Sequence, residues 1–238
     1  MRTGKSWSFR ASAKALAATI FMSMAVSTFA AEHDATHVKK WVGIDGLTTP
    51  SEGLAEGQSV GTWQIIYSGF GSNKLITEAG QTRFELCPMA SHGAGAVDHA
   101  AMSFGEFFGD NLVFSATVRN DEQLWDVNQI QPWHAPWLVF CAKDKQNFYY
   151  VITKTNGYEL GKLIDGKQIF LATGSDTTFR LGQAVNVEIK QSAGHIQVKI
   201  DGKQLIDYAD PNPYTSGRIG LYTECSRVSF WNISADSD

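Results

Sequence analysis

The chain is short of several things that would name a chemistry outright. Only three cysteines occur in 238 residues, Cys87, Cys141 and Cys225. No Cys-x-x-Cys or Cys/His spacing of the zinc type is present. An exported chain could oxidise two of the three and leave one over, and the pairing stays open; Cys141, inside "WLVFCAKD", reads as a small buried thiol on a strand. A basic surplus is also lacking: the formal charge is −4, so the phosphate-neutralising footprint of a nucleic-acid binder is not there. No nucleophile-elbow motif, no Asp-rich calcium loop and no Glu-x-Asp-x-x-Glu strand appears.

One apolar stretch stands out, at the N-terminus. Arg2, Lys5, Arg10 and Lys14 precede "ALAATIFMSMAVSTFA". A basic head, a short apolar run and small residues form the pattern of a secretory leader, and the run reads poorly as a membrane span. Cleavage after Ala30 leaves a domain at 31–238. Removing four positive charges takes the charge from −4 to −8. Periplasmic or secreted placement, one domain and a monomeric state are the expectations, with no second apolar stretch to suggest a membrane anchor.

Helical periodicity is absent beyond the leader. Twelve short runs rich in β-branched and aromatic residues, from "TWQIIYSG" through "FYYVITK" and "YELGKLI" to "RVSFWNIS", are bounded by Gly, Asn and Asp. That density predicts an all-β fold, a single antiparallel sandwich or barrel. "LIDGKQI" and "VKIDGKQL" carry Asp-Gly, suited to two-residue turns with positive φ. "TKTNGYE" reads as a three-residue loop over 155–157. "PMASHGAGAVDHAAMSFGEF", 88–107, reads as one long loop, possible helical turn included. His92, Asp98 and His99 in it match no ligand spacing, so no metal is assigned. No cofactor is expected with certainty; calcium, through aspartate and carbonyl oxygens, is the cation such a fold could take.

The stretch from Gln123 to Ser234 resembles the concanavalin A-like, laminarinase-like jelly rolls of the bacterial 3-keto-disaccharide hydrolase-like type. "WHAPWLVFCAKDKQNFYYVITKTNGYELGK", "VKIDGKQLIDYAD" and "PYTSGRIGLYTECSRVSFWNI" carry the likeness. Tyr158 stands where that pattern has tryptophan, His134 where it has glutamate, and Cys225-Ser226 where it has an acidic-small pair. The likeness implies a jelly roll that engages carbohydrate. A looser similarity to jelly-roll alginate lyases rests on Arg83 and Glu85 in "RFEL", Gln129, Gln131 and His134 in "QIQPWH", and Lys154, Gly157 and Tyr158 in "KTNGY".

The hairpin "QNFYYVITKTNGYELGK" then becomes the candidate site. With the loop at 155–157, Lys154 faces Tyr158 and Tyr150 faces Lys162. Tyr150, Lys154, Tyr158 and Lys162 would share one face, with Tyr149, Thr153 and Glu159 behind. Such a set suits elimination on a uronic acid, which needs a base and a cation on the carboxylate. On that reading His134, Tyr150 and Tyr158 handle protons, while Arg83, Gln131, Trp133, Lys154 and Lys162 hold the substrate. The expected function is degradation of an acidic polysaccharide by a lyase. A glycoside hydrolase of the same fold and a non-catalytic carbohydrate-binding module are the alternatives. A hydrolase would need two carboxylates roughly 5 to 10 Å apart, and the face assignment supplies no such pair. An ordinary solvated sheet face, with lysines lying along it, would give the same pattern.

Overall fold

The computed structural model describes residues 39–237 apart from 94 and 126–129. The expected leader, Asp126 and Gln129 lie outside the described residues. The described residues belong to the compact unit Ala35–Asp238. No helix among them is long and apolar enough to cross a membrane.

Among the described residues sixteen strands make two antiparallel sheets, and the fold is the expected jelly-roll sandwich. Sheet I has the order β14 (Lys203–Ala209), β13 (His195–Ile200), β12 (Ala184–Ser192), β7 (Leu112–Gln123), β16 (Ser226–Ser237), β5 (Gln81–Cys87), β4 (Ser72–Glu78), with β1 (Lys39–Val42) also on β16. Sheet II runs β11 (Lys167–Gly174), β10 (Gly157–Ile164), β9 (Asn147–Lys154), β8 (Trp137–Asp144), β15 (Gly217–Glu224), β6 (Ala100–Phe108), β3 (Trp63–Tyr67), β2 (Ser59–Val60). Each of the twelve expected runs is a strand. The reading of 88–107 as one loop is corrected, because Ala100–Phe108 forms β6 between β15 and β3. "AAMSFGEFF" holds no β-branched residue and only its three phenylalanines favour a strand, so the signal is weak; Gly105 serves close packing instead. A Cβ on Gly105 would lie 3.0 Å from Ile219 and 3.2 Å from Trp63.

Alternation sets the core. In β13, Ile196, Val198 and Ile200 are buried between more exposed neighbours. With Val185, Val187 and Ile189 of β12 and Phe114, Ala116 and Val118 of β7, they meet Phe140, Tyr149, Val151, Leu160 and Leu221 of sheet II in the inter-sheet core. The Asp-Gly turns are as expected: Asp165 and Gly166, and Asp201 and Gly202, all have positive φ.

Sheet II is unusual in being covered on both faces. Six consecutive residues of β8, Trp137 to Ala142, and six of β9, Phe148 to Thr153, are buried. Such continuous burial marks strands with packing on each side. The second layer, drawn from sheet II and the turn before β8, contains Met102, Phe104, Trp137, Val139, Tyr150, Ile152 and Tyr222. This aromatic outer face positions the candidate site.

Candidate functional site

The hairpin β9–β10 pairs one residue away from the expected register. Lys154 faces Gly157, Tyr158 faces Thr153, Glu159 faces Ile152, Gly161 faces Tyr150 and Lys162 faces Tyr149. The loop is Thr155-Asn156, and Gly157 opens β10 rather than closing the turn. The reason lies on the next strand: a Cβ on Gly157 would sit 1.9 Å from the Gly174 carbonyl oxygen of β11. Gly157 also has φ +149°, a conformation that favours glycine, so the position needs both that freedom and the close backbone approach. A shift of one residue exchanges faces for a whole strand. The expected set therefore splits: Tyr150 and Lys154 lie on the outer face with Glu159, while Tyr158 and Lys162 lie on the inner side.

Tyr158 and Lys162 are thus corrected as groove residues. The Lys162 side chain is 4% exposed and pairs with Asp210 at 2.9 Å. It also donates to the Asn212 carbonyl at 2.5 Å and lies 4.2 Å from the centre of the Tyr214 ring. A buried ammonium held this way is a structural clamp between β10 and the segment after β14. Tyr158 donates to Asp176 at 2.9 Å, and its ring needs Gly174, where a Cβ would come within 2.2 Å. Arg83 is corrected too: it lies on β5 in sheet I, its guanidinium 4.3 Å over Trp231 and paired with Glu78.

The outer face of sheet II instead forms a groove of about 250 Å³ lined by Trp133, Trp137, Ile152, Lys154, Glu159, Gln168 and Phe170, together with Pro132 and Asn156. Trp133 and Phe170 are 45% and 63% exposed, which offers two ring surfaces to a ligand. Trp137 donates its indole N–H to the Trp133 carbonyl at 3.1 Å and so fixes that segment. On the floor, Glu159 accepts from Tyr150 at 2.6 Å and from Lys154 at 2.7 Å. Gln168 donates to the Tyr150 hydroxyl. Gly161 makes room for Tyr150: a Cβ there would lie 2.0 Å from the phenol oxygen. Burial first, then the Glu159 hydrogen bond, pushes the Tyr150 hydroxyl far above its ordinary range. That phenol is a donor to Glu159, not a tyrosinate base.

The pairing continues across the sheet. Glu159, Ile152, Trp137, Tyr222, Met102 and Tyr67 form one transverse row on the outer face. Glu224, two residues beyond Tyr222, accepts from the Tyr222 hydroxyl. Burial, opposed by that bond, raises its carboxyl above the usual range. Glu159, Trp137, Phe170, Gln168 and Glu224 were not singled out as site residues from the sequence. The legible signal was Gly161, a residue without a side chain in a strand of large ones, marking where a ring must lie.

His134 and Gln131 belong to the segment before β8, not to the groove lining. Gln131 is held by Gln123, which accepts from its N–H at 3.0 Å and donates to its carbonyl at 2.7 Å. The His134 ring is 1% exposed, packed edge-on to Trp125 and Trp133 at 5.2 and 5.7 Å. Its Nε2 lies 2.9 Å from Asp98, and its Nδ1 is buried with no partner. Burial lowers its pKa, against the upward pull of Asp98, so the ring is neutral near pH 7. Cys225 Sγ completes the cluster, 3.6 Å from Asp98, and burial pushes its thiol up to about 11. All three cysteines are free thiols.

Comparison with known proteins agrees with this architecture. Residues 129–235 match the model of the 3-keto-alpha-glucoside-1,2-lyase-like domain. No curated protein sequence is significantly similar. Among solved structures, a carbohydrate-binding module CBM66 from Bacillus subtilis superposes with a TM-score of 0.55 at 12% identity, covering 79% of this chain and all of its own. The VIP36 exoplasmic/lumenal domain in its Ca2+/mannose-bound form gives 0.54 at 11%, covering 84% and 91%. A native glycosidic hydrolase gives 0.53 at 10%, covering 84% and 95%. These identities speak for the fold alone. The chain is a concanavalin A-like jelly roll that over residues 129–235 resembles the 3-keto-alpha-glucoside-1,2-lyase-like domain.

Proposed function

We propose that this protein is an exported enzyme that holds a neutral saccharide against Trp133 and Phe170 and cleaves it by β-elimination from a 3-keto glycoside. The observation that carries the reading is the Lys154–Glu159–Tyr150 cluster on the floor of an aromatic-sided groove. A ketone at C3 acidifies the proton at C2. Glu159 takes that proton, the C2–H electrons form the C1=C2 double bond, and the C1–O bond breaks. The departing oxygen takes a proton from water. Lys154 stands beside Glu159, where its ammonium can meet the enolate oxygen as charge develops. Tyr150 holds the carboxylate in place, a positioning role.

The site chemistry speaks against the acidic polymer expected from sequence. Of the three cations assigned to a uronate carboxylate, only Lys154 reaches the groove, and Glu159 already neutralises it. Glu224 places a second carboxyl on the same face. A paired-carboxylate hydrolase is disfavoured as well: Glu159 and the Tyr222–Glu224 end of the row are three strand spacings apart, about 14 Å, against roughly 5 to 10 Å for the two-carboxylate mechanism. Trp137 and Tyr150 stand between them.

A second reading, a non-catalytic sugar binder, is favoured by the exposed rings of Trp133 and Phe170. One experiment separates the two. Wild type and Glu159→Gln are incubated with a 3-keto-α-glucoside, its unoxidised parent and a polyuronate, and aglycone release is followed. The lyase reading expects release from the keto sugar alone, abolished in Glu159→Gln with sugar binding retained. Binding with no release from any sugar would leave the binder. Export is tested by N-terminal sequencing of the mature protein, expected to begin at Ala31.

A further inference from the structure

The cluster beside the groove has a chemistry of its own. Asp98 comes from the loop before β6, His134 from the turn before β8 and Cys225 from the β15–β16 junction. Their potential ligand atoms lie within 4.8 Å of one another. None of the three lines the groove, so the role of this cluster is independent of the proposed elimination.

We propose that Asp98, His134 and Cys225 form a binding site for a divalent cation of the zinc class, with three protein donors and an open fourth position. The spacing fits. Bonds of about 2.3 Å to sulfur and 2.0–2.2 Å to nitrogen and oxygen at tetrahedral angles place S and O about 3.6 Å apart and N and O about 3.4 Å apart. The chain holds Cys225 Sγ 3.6 Å and His134 Nε2 2.9 Å from the same Asp98 oxygen. A cation entering between them would widen the second separation, with the Cys225 and His134 donor atoms already within 4.8 Å of each other.

The donor set selects the metal. One thiolate, one imidazole and one carboxylate suit zinc or cobalt, whereas calcium and magnesium take oxygen ligands throughout. The sulfur is prepared for negative charge: the His99 backbone N–H points at Cys225 Sγ at 3.2 Å, a weak bond to a thiol and a strong one to a thiolate. The backbone around it is pinned, Cys225 N–H on the His99 carbonyl at 2.9 Å and Leu124 N–H on the Cys225 carbonyl at 2.7 Å. His134 is locked between two indoles, while the Asp98 side chain is 48% exposed and gives both an entry path and room for a water ligand. On binding, the Sγ proton leaves to solvent. Asp98 and the thiolate then balance the dication. His134 Nδ1 has no outer hydrogen bond, a support worth about 10- to 100-fold in affinity where present, so binding is weaker than at a site that has it.

The test uses the full mature protein, stripped with a chelator, dialysed and titrated with cobalt(II) chloride. The expected result is a thiolate-to-cobalt charge-transfer band that saturates at one equivalent and is displaced by zinc. Cys225→Ser abolishes the band, and Cys87→Ser keeps it. Asp98→Asn, at a half-exposed position where folding is not in question, weakens binding at least ten-fold. Absence of a saturable band in wild type overturns the proposal. So does a band that survives unchanged in Asp98→Asn, or one lost in Cys87→Ser instead of Cys225→Ser.

Discussion

Replacing Gly161 by alanine tests the observed register and the groove floor together. The position has no positive φ, so the backbone accepts alanine and the effect is steric. The new Cβ would lie 2.0 Å from the Tyr150 phenol oxygen and 2.1 Å from Cζ, where ordinary contact begins near 3.4 Å. The ring must move by more than an ångström, yet it is fully buried and Trp137 packs on it at 4.4 Å. Overpacking of this kind costs about 1–3 kcal/mol. Separating the phenol from the Glu159 carboxylate adds about 1.5–3 kcal/mol. The lower unfolded-state entropy of alanine returns about 0.4–1 kcal/mol. The net expectation is a loss of about 3 kcal/mol, read as a lower urea midpoint at unchanged slope. In a Tyr150→Ala background the same substitution should cost almost nothing, because the clash has been removed. A Gly161→Ala protein within about 0.5 kcal/mol of wild type, or an equal cost in both backgrounds, would refute the register and the floor built on it.

Other outcomes rest on the same geometry. Trp133→Ala should leave the unfolding midpoint unchanged and weaken saccharide binding about ten-fold, roughly 1.4 kcal/mol, by fluorescence titration or calorimetry. Lys162→Ala should lower stability by about 3–5 kcal/mol, since it leaves the Asp210 carboxylate buried without its ammonium. Whatever fraction folds should bind saccharide with wild-type affinity, because that side chain faces away from the groove. Asp210 also sets an acid limb. Burial raises its carboxyl, but the Tyr149, Asn212 and Lys162 hydrogen bonds outweigh that and hold it below the ordinary range. Its contribution is therefore present above the unfolded value of about 3.9 and lost as pH falls through the lower folded value. Asp210→Asn should flatten the stability profile below about pH 4, measured by thermal unfolding at stepped pH.

Strand content was legible because alternation and turn residues are local. "HIQVKI" announces one dry face, and the two Asp-Gly turns announce their own φ. β6 was hidden because its alanines, serine and glycine dilute the strand preference of its three phenylalanines and follow a glycine-rich segment, and its place is set by Ile219 and Trp63 on other strands. Arg83, Gln131 and His134 lie on other elements, away from the groove lining, and within the hairpin the assignment failed at a single point. Gly157 invites a turn assignment, but its absent side chain makes room for the Gly174 carbonyl on the neighbouring strand β11. That non-local demand moved the register by one and turned Tyr158 and Lys162 inward while bringing Glu159 out. Trp133, Tyr150 and Lys154 meet at the groove because their placement does not depend on that register. Asp98, His134 and Cys225 lie 36 and 91 residues apart in sequence; only the fold brings them together.

The most direct test of the central claim is the fate of the C2 hydrogen. The protein is incubated in deuterium oxide with a 3-keto-α-glucoside, and the sugar product is examined by proton NMR and mass spectrometry. Elimination driven by Glu159 predicts loss of the original C2 hydrogen in step with aglycone release, both absent in Glu159→Gln. Aglycone release with the C2 hydrogen fully retained would contradict the account, and so would undiminished release by the Glu159→Gln variant.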